Sequence, residues 1–212
     1  MTNHHFDDET RAQLPDFLAQ LPEPVALHVW GDATATPAEQ EAARLGQFFA
    51  DQFPEKISFR LFPRRINYPF YPVLGVMGVD GEALIDHGVR IIGLPIGYQM
   101  TSLIAALQVV SFRGQTLEPV TRIKLARLKT AVNIQILTTA DNETGALVAK
   151  HAFGLAVASP HIRAYLIMAD AFPEAAIRYS ASTAPHIVIN ERVHISGVID
   201  EAELLHQISL AL

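Results

Sequence analysis

Val132–Pro160, VNIQILTTADNETGALVAKHAFGLAVASP, constrains this chain more than any other stretch. Its first seven residues are rich in branched side chains, which predicts a buried strand over Val132–Thr138. Thr139–Gly145 is a short polar loop. Thr144–Ala158 is then apolar over a length no strand reaches, which predicts a buried helix. A strand that hands over to a helix N-terminus is where α/β folds usually place their chemistry, because unpaired N–H groups and the positive helix end converge there. This loop carries no obvious reactive group.

The same order runs through the rest of the chain. Val25–Trp30 predicts a strand. Thr36-Pro37-Ala38-Glu39 carries a capping-box signature, with Thr36 as N-cap and Pro37 at the first helical position. The helix that follows runs to about Gln52, with Ala42, Leu45, Phe48, Phe49 and Phe53 on one face. Ile57–Phe62 is a second strand. Pro63–Pro72 is a loop rich in proline and aromatics. Val73–Val79 and Ala83–Ile92 read as a hairpin turning at Asp80-Gly81. Met100–Phe112 is an apolar helix, and Leu117–Lys129 a linking helix. After the 132–158 pair, Ile162–Met168 is a strand and Pro173–Tyr179 a short helix. His186–Asn190 and Val193–Val198 are strands, and a helix over Asp200–Leu212 closes the chain. Before them, residues 7–22 read as a short helix interrupted by Pro15.

Both halves therefore read β-α-β-(α)-β-β-α, with Pro72 and Pro185 each preceding a third strand. The span from Val25 to Pro72 is the shorter of the two, and its deficit matches a second helix missing from the first half. This is a structural repeat with little residue identity.

Composition narrows the function classes. Half of the 212 residues are hydrophobic and 18% are charged, so a sizeable core is expected. The formal net charge is −6, which argues against nucleic acid as a partner. Arg64-Arg65 is the densest basic pair, and a solvated loop is the expected setting. The N-terminus is polar and acidic rather than a leader. No apolar run approaches the ~18 residues of a membrane span. A cytoplasmic location is the default expectation. There is no cysteine, which rules out disulfides, thiol catalysis and thiolate metal sites.

Three segments carry a resemblance. Gly88–Gly97 (GVRIIGLPIG) resembles the G-V-R-x-x-G-x-P-x-G segment that ends the first unit of the tandem, glutaredoxin-like protein disulfide oxidoreductases. Ala156–Pro160 (AVASP) and Ala184–Ile189 (APHIVI) resemble the end of the second unit's first helix and the strand at its cis-proline. The N-terminal domain of the flavoprotein subunit of alkyl hydroperoxide reductase has the same doubled layout. The resemblance implies an α/β chain of two thioredoxin-like units, each a mixed four-stranded sheet flanked by helices, packed face to face. The first unit is expected over 20–113, without its second helix, and the second over 114–212, including the linking helix 117–129.

One departure is decisive. The family's chemistry rests on C-x-x-C at the N-terminus of each unit's first helix, where the helix end stabilises a thiolate and the second cysteine resolves the mixed disulfide. Aligned on the flanks, these motifs fall on Thr34–Pro37 and Asn142–Gly145, and neither holds a thiol. Thr34, Pro37, Asn142 and Gly145 are thus degenerate motif positions, with Thr36 and Asn142 expected as helix caps. In the family, the backbone before the cis-proline pairs with a substrate chain, so Ala184 and Pro185 are candidate binding residues. Tyr71 and Pro72, in the aromatic loop, are the others. That loop has two readings, packing between the units or a partner surface.

No catalytic residue stands out. Ser111 and Ser182 lie outside any G-x-S-x-G elbow. His151, His161, His186 and His194 lack metal-ligand spacing, so no metal is expected, and no cofactor is implied. The leading expectation is a redox-inactive protein- or peptide-binding module, with a peroxidase or a flavoprotein reductase among the partners the resemblance suggests. Oligomer formation stays open. The alternative is an enzyme or small-ligand binder with a non-thiol site at the helix N-termini.

Overall fold

A computed structural model describes Leu14 and residues 16–212. Residues 7–13 and Pro15 of the expected first helix lie outside the described residues. Leu14 and 16–18 are helical, and Leu14, Leu18 and Leu21 are buried.

The first half runs β1 (Val25–Trp30), α1 (Pro37–Gln52), β2 (Ile57–Phe62), β3 (Val73–Asp80), β4 (Ala83–Ile85), β5 (Val89–Ile92) and α2 (Gln99–Ser111). A short α3 (Pro119–Leu125) leads to β6 (Val132–Thr138), α4 (Glu143–Ala158), β7 (Ile162–Met168), α5 (Pro173–Arg178), β8 (His186–Ile189), β9 (Val193–Ser196) and α6 (Glu201–Leu210). The linking helix is shorter than 117–129. The expected second hairpin strand is broken in two at Asp86-His87-Gly88. There the Asp86 carboxylate accepts from Gly88 N–H at 2.8 Å, and Gly88 takes a φ of 73°. β4 stays on β3, while β5 crosses to pair further along it.

The strands form one sheet in the order β2-β1-β3-β5-β7-β6-β8-β9, with β4 on β3. Each half repeats one pattern: β1 between parallel β2 and antiparallel β3, and β6 between parallel β7 and antiparallel β8. These are two thioredoxin-like units in tandem. They do not pack face to face as expected. β5 pairs in parallel with β7, from Val89 against Ala164 to Ile92 against Ile167. The outer strand of one unit thereby becomes the neighbour of the other's outer strand, and two four-stranded patterns fuse edge to edge. This satisfies backbone groups that two separate sheets would leave bare.

Both faces of this sheet are covered, so β1 is buried along its whole length. On one face Leu27, Val29, Ile91, Ile134 and Leu166 lie in one core with Phe49 of α1, Leu103 and Leu107 of α2, and Phe153 of α4. On the other face Trp30, Ile92, Leu137 and Ile167 pack with Ala175, Tyr179 and the aromatic loop. No helix stands between β2 and β3. Tyr68, Phe70 and Tyr71 cover the sheet there instead.

Candidate functional site

Asn142 is the N-cap of α4, in extended backbone. Its Oδ1 accepts from Gly145 N–H at 2.7 Å, which satisfies one orphan donor of the helix start. Its Nδ2 donates to the Ala184 carbonyl at 2.9 Å. The Ala184–Pro185 peptide bond is cis, Ala184 is half-buried and Pro185 is buried. The structure thus brings Asn142, Gly145, Ala184 and Pro185 together on one rim.

Gly145 is held by close packing. A Cβ built on it would sit 2.1 Å from Thr138 Oγ1 and 2.9 Å from Thr138 Cβ. Thr138 ends β6 and is fully buried. The position aligned with a second motif cysteine therefore has no room for a side chain.

The loop before α4 is clamped from the first unit by a residue that local sequence patterns did not single out. Gln99, at the start of α2, is fully buried. Its Nε2 donates to the carbonyls of Thr139 at 2.9 Å and Asn142 at 2.7 Å, and its Oε1 accepts from Ser102 Oγ at 2.8 Å. Tyr98 N–H donates to the Ala140 carbonyl at 2.9 Å. Beside it Gly97 has a φ of 56°, and a Cβ there would meet Ala140 O at 2.4 Å.

The first unit's degenerate motif is built differently. Thr36 caps α1, with Oγ1 accepting from Glu39 N–H at 3.3 Å and Pro37 at the first helical position. Glu39 does not return the bond to the Thr36 backbone, as a full capping box would. Its buried carboxylate accepts from Thr36 Oγ1 at 2.9 Å, from Asp32 N–H at 2.6 Å and from both Nε and Nη2 of Arg64. The Arg64 guanidinium is the main cause that holds the Glu39 carboxyl below its ordinary range. Thr34 bonds Asp32 through its N–H and its hydroxyl. Thr34 therefore lies in an exposed turn before α1, and Pro37, also exposed, opens that helix.

Arg64-Arg65 is not simply a solvated pair. Arg64 grips Glu39, and the Arg65 guanidinium lies 5.2 Å from the Trp30 ring centre. Tyr71 is half-buried, and its hydroxyl bonds the Arg65 backbone. Pro72 is buried, after a cis Tyr71–Pro72 bond. Phe70 stacks on Phe172 of the second unit, ring centres 4.6 Å apart and 15° from parallel. The inter-unit reading of this loop holds for Phe70.

A groove of about 890 Å³ runs between α2 and α4. Ile104, Ala105, Ala146 and Leu147 line it, and Tyr98 and Asp141 stand at the end that adjoins the Asn142 rim. Across the sheet, His186 Nε2 faces His194 Nδ1 at 3.1 Å. Register made this pair, since β8 and β9 are a hairpin with His186 opposite Ser196 and Val188 opposite His194. Ser111 is buried and bonded to the Glu23 backbone, a tie between α2 and the segment before β1. Among the described residues no group of three or more His, Asp or Glu side chains could hold a metal ion, and no helix is long and apolar enough to cross a membrane.

No protein-family model matches the sequence, and no curated protein matches it. Solved structures do match in shape. The NTD_N/C domain of the alkylhydroperoxide reductase AhpF from Enterococcus faecalis superposes with a TM-score of 0.81 at 21% identity, covering 96% of this chain and 99% of that one. A protein disulfide oxidoreductase from Aeropyrum pernix gives 0.83 at 20% identity, covering 99% and 96%. Identity this low speaks for architecture alone. The chain has the fold of these tandem thioredoxin-like proteins over nearly its whole length, without a cysteine in either unit.

Proposed function

We propose that this chain is a protein- or peptide-binding module that keeps the frame of a disulfide oxidoreductase and performs no thiol chemistry. The observation that carries this reading is Gly145. Its place against Thr138 leaves no volume for a second motif cysteine, in a chain that has no cysteine elsewhere. Two-electron exchange through a disulfide needs two thiols, so what the frame still offers is surface. The rim at Ala184 is one such surface, although Asn142 already occupies its carbonyl. The α2–α4 groove opens beside the same loop and is the roomier one.

The test has two arms. An insulin-reduction assay is expected to run at the rate of buffer. A peptide library selected on the folded protein is expected to yield binders whose amide shift changes map to residues 97–108 and 140–150. Activity above buffer, or no binder at all, overturns the proposal.

A second reading is favoured by the groove's size. About 890 Å³ falls within the roughly 300–1,000 Å³ of small-molecule sites. A thermal-shift screen with small metabolites separates the two. A stabilising small ligand mapped to the groove favours the second reading, and peptide binding alone favours the first.

A further inference from the structure

β2 is the outermost strand at one end of the sheet and is bonded to β1 alone among the described strands. Val25 N–H donates to the Lys56 carbonyl and Gly31 N–H to the Phe62 carbonyl. Amide directions alternate along a strand. The N–H and C=O groups of Ser58, Arg60 and Phe62 therefore face β1, and those of Phe59 and Leu61 face outward with the Ile57 carbonyl, the Ile57 N–H being donated to the Phe53 carbonyl at 2.8 Å. An open edge of this kind is a template for one more strand.

The two faces beside this edge differ in chemistry. Arg60 pairs in register with His28, and Phe62 with Trp30. On that face Arg65 lies over Trp30. Arg64 is taken by Glu39 and Arg90 by Asp86. Neither Arg60 nor Arg65 has a carboxylate at ion-pair distance among the described residues. Arg60 on β2 and Arg65 over the neighbouring Trp30 of β1 thus carry positive charge unpaired with a carboxylate among the described residues, in a chain whose net charge is −6. On the other face stand half-buried Phe59 and Leu61, the latter 41% exposed. A charge on an edge strand also discourages aggregation. That role explains Arg60 but not Arg65, which is off the strand.

We propose that β2 accepts an extended partner segment of alternating acidic and apolar residues, its carboxylates meeting Arg60 and Arg65 and its apolar side chains meeting Phe59 and Leu61. The proposal rests on the binding-module reading but uses a different surface from the α2–α4 groove. A second copy fits less well, because two β2 edges paired antiparallel place two Arg60 side chains on one face, where like charges repel.

Trp30 is the single tryptophan. It stacks on Phe62 at 5.9 Å beneath Arg65, so its emission reports this edge. The probe is a capped peptide of about seven residues that alternates Glu and Val, a usual strand length. It is expected to change Trp30 emission saturably, with affinity falling several-fold as salt is raised. The double variant R60E/R65E is expected to lose about tenfold or more. L61P removes an outward N–H while leaving the bonds to β1, and is expected to lose binding too. Should L61P fail to fold, the arginine variant decides alone. No saturable change in the unaltered protein, equal binding of a Lys-Val peptide, binding unaffected by R60E/R65E, or a concentration-dependent dimer through β2 each overturns the proposal. If the Glu-Val peptide fails while selected peptides still bind the groove, this proposal falls and the binding-module reading stands.

Discussion

One amide side chain, that of Asn142, holds both the Gly145 N–H in the first turn of α4 and the carbonyl of Ala184 on the neighbouring strand turn. Helix start and cis-proline turn are thereby fixed to each other by a group that cannot carry electrons. The two bonds can be separated by substitution. Asn142→Asp keeps the cap acceptor and loses the donor to Ala184, so it is expected to cost about 1 kcal/mol. Asn142→Ala loses both, at about 2 kcal/mol. Urea unfolding measures the difference, and equal losses would mean that the cap bond to Gly145 contributes nothing.

Thr138 and Gly145 form a packed pair in which one residue's size dictates the other's. Gly145→Ala would gain helix propensity of about 1 kcal/mol in open surroundings. Here the clash with Thr138 is expected to dominate, giving a net loss of about 1–3 kcal/mol. Thr138→Ala removes the nearest atom, so the double variant should be more stable than the sum of the single effects predicts. Additive effects in a double-mutant cycle would show that the two residues do not compete for space.

Gln99 carries the joint between the units on its amide. Gln99→Leu removes one donor from each of the half-buried Thr139 and Asn142 carbonyls, the Thr139 carbonyl keeping only the Asn142 N–H, at an expected cost of about 1–3 kcal/mol. Hydrogen exchange should quicken first in 138–142 and less in the core of β6. Uniform loss of protection across both units would place the role of Gln99 in global stability alone.

The sequence makes local devices visible and distant ones invisible. β1, β2, β6 and β7 are plain because each is a segment of strand length rich in branched and aromatic residues. The caps at Thr36 and Asp200 follow from a Glu three positions on, and that at Asn142 from its residue type at the aligned motif. The fusion of β5 with β7 does not, because backbone pairing leaves no side-chain mark that says which edge meets which. Gln99 reaches a loop some forty residues away and Glu39 an arginine twenty-five away. Nothing near Gln99 or Glu39 in the chain announces either contact. The degenerate motif positions were placed by resemblance, and only coordinates reveal that Gly145 has been walled in.

Four histidines set the response to mild acid. Burial is the main cause that pushes His28, His87, His151 and His186 below the ordinary imidazole range; Arg60 adds to it at His28 and His194 at His186. The unfolded chain takes up these protons near pH 6.5, while the folded chain resists them to lower pH. Unfolding therefore binds protons in that window, and stability falls as pH drops from about 7 toward about 5. His186→Gln is expected to make the fall in melting temperature shallower. An unchanged slope would remove His186 from the group.

At lower pH the Glu39–Arg64 pair takes over. Hydrogen bonds from Arg64 are the largest cause holding the Glu39 carboxyl below its unfolded value. A depressed carboxyl contributes stability above the unfolded pKa of about 4.3 and loses it as pH falls through the folded value. Arg64 is half exposed, which tempers the pair, so Arg64→Ala is expected to lower stability modestly at neutral pH. Most of that cost is the buried carboxylate left facing only Thr36 and the Asp32 amide. Glu39→Gln cannot titrate, so its stability should be flatter on the acid limb than that of the unaltered chain. Urea midpoints for the three proteins between about pH 3 and pH 7 test this. If Glu39→Gln keeps the full acid slope, carboxyls elsewhere, Asp86 first among them because Arg90 holds it low as well, carry the effect in its place.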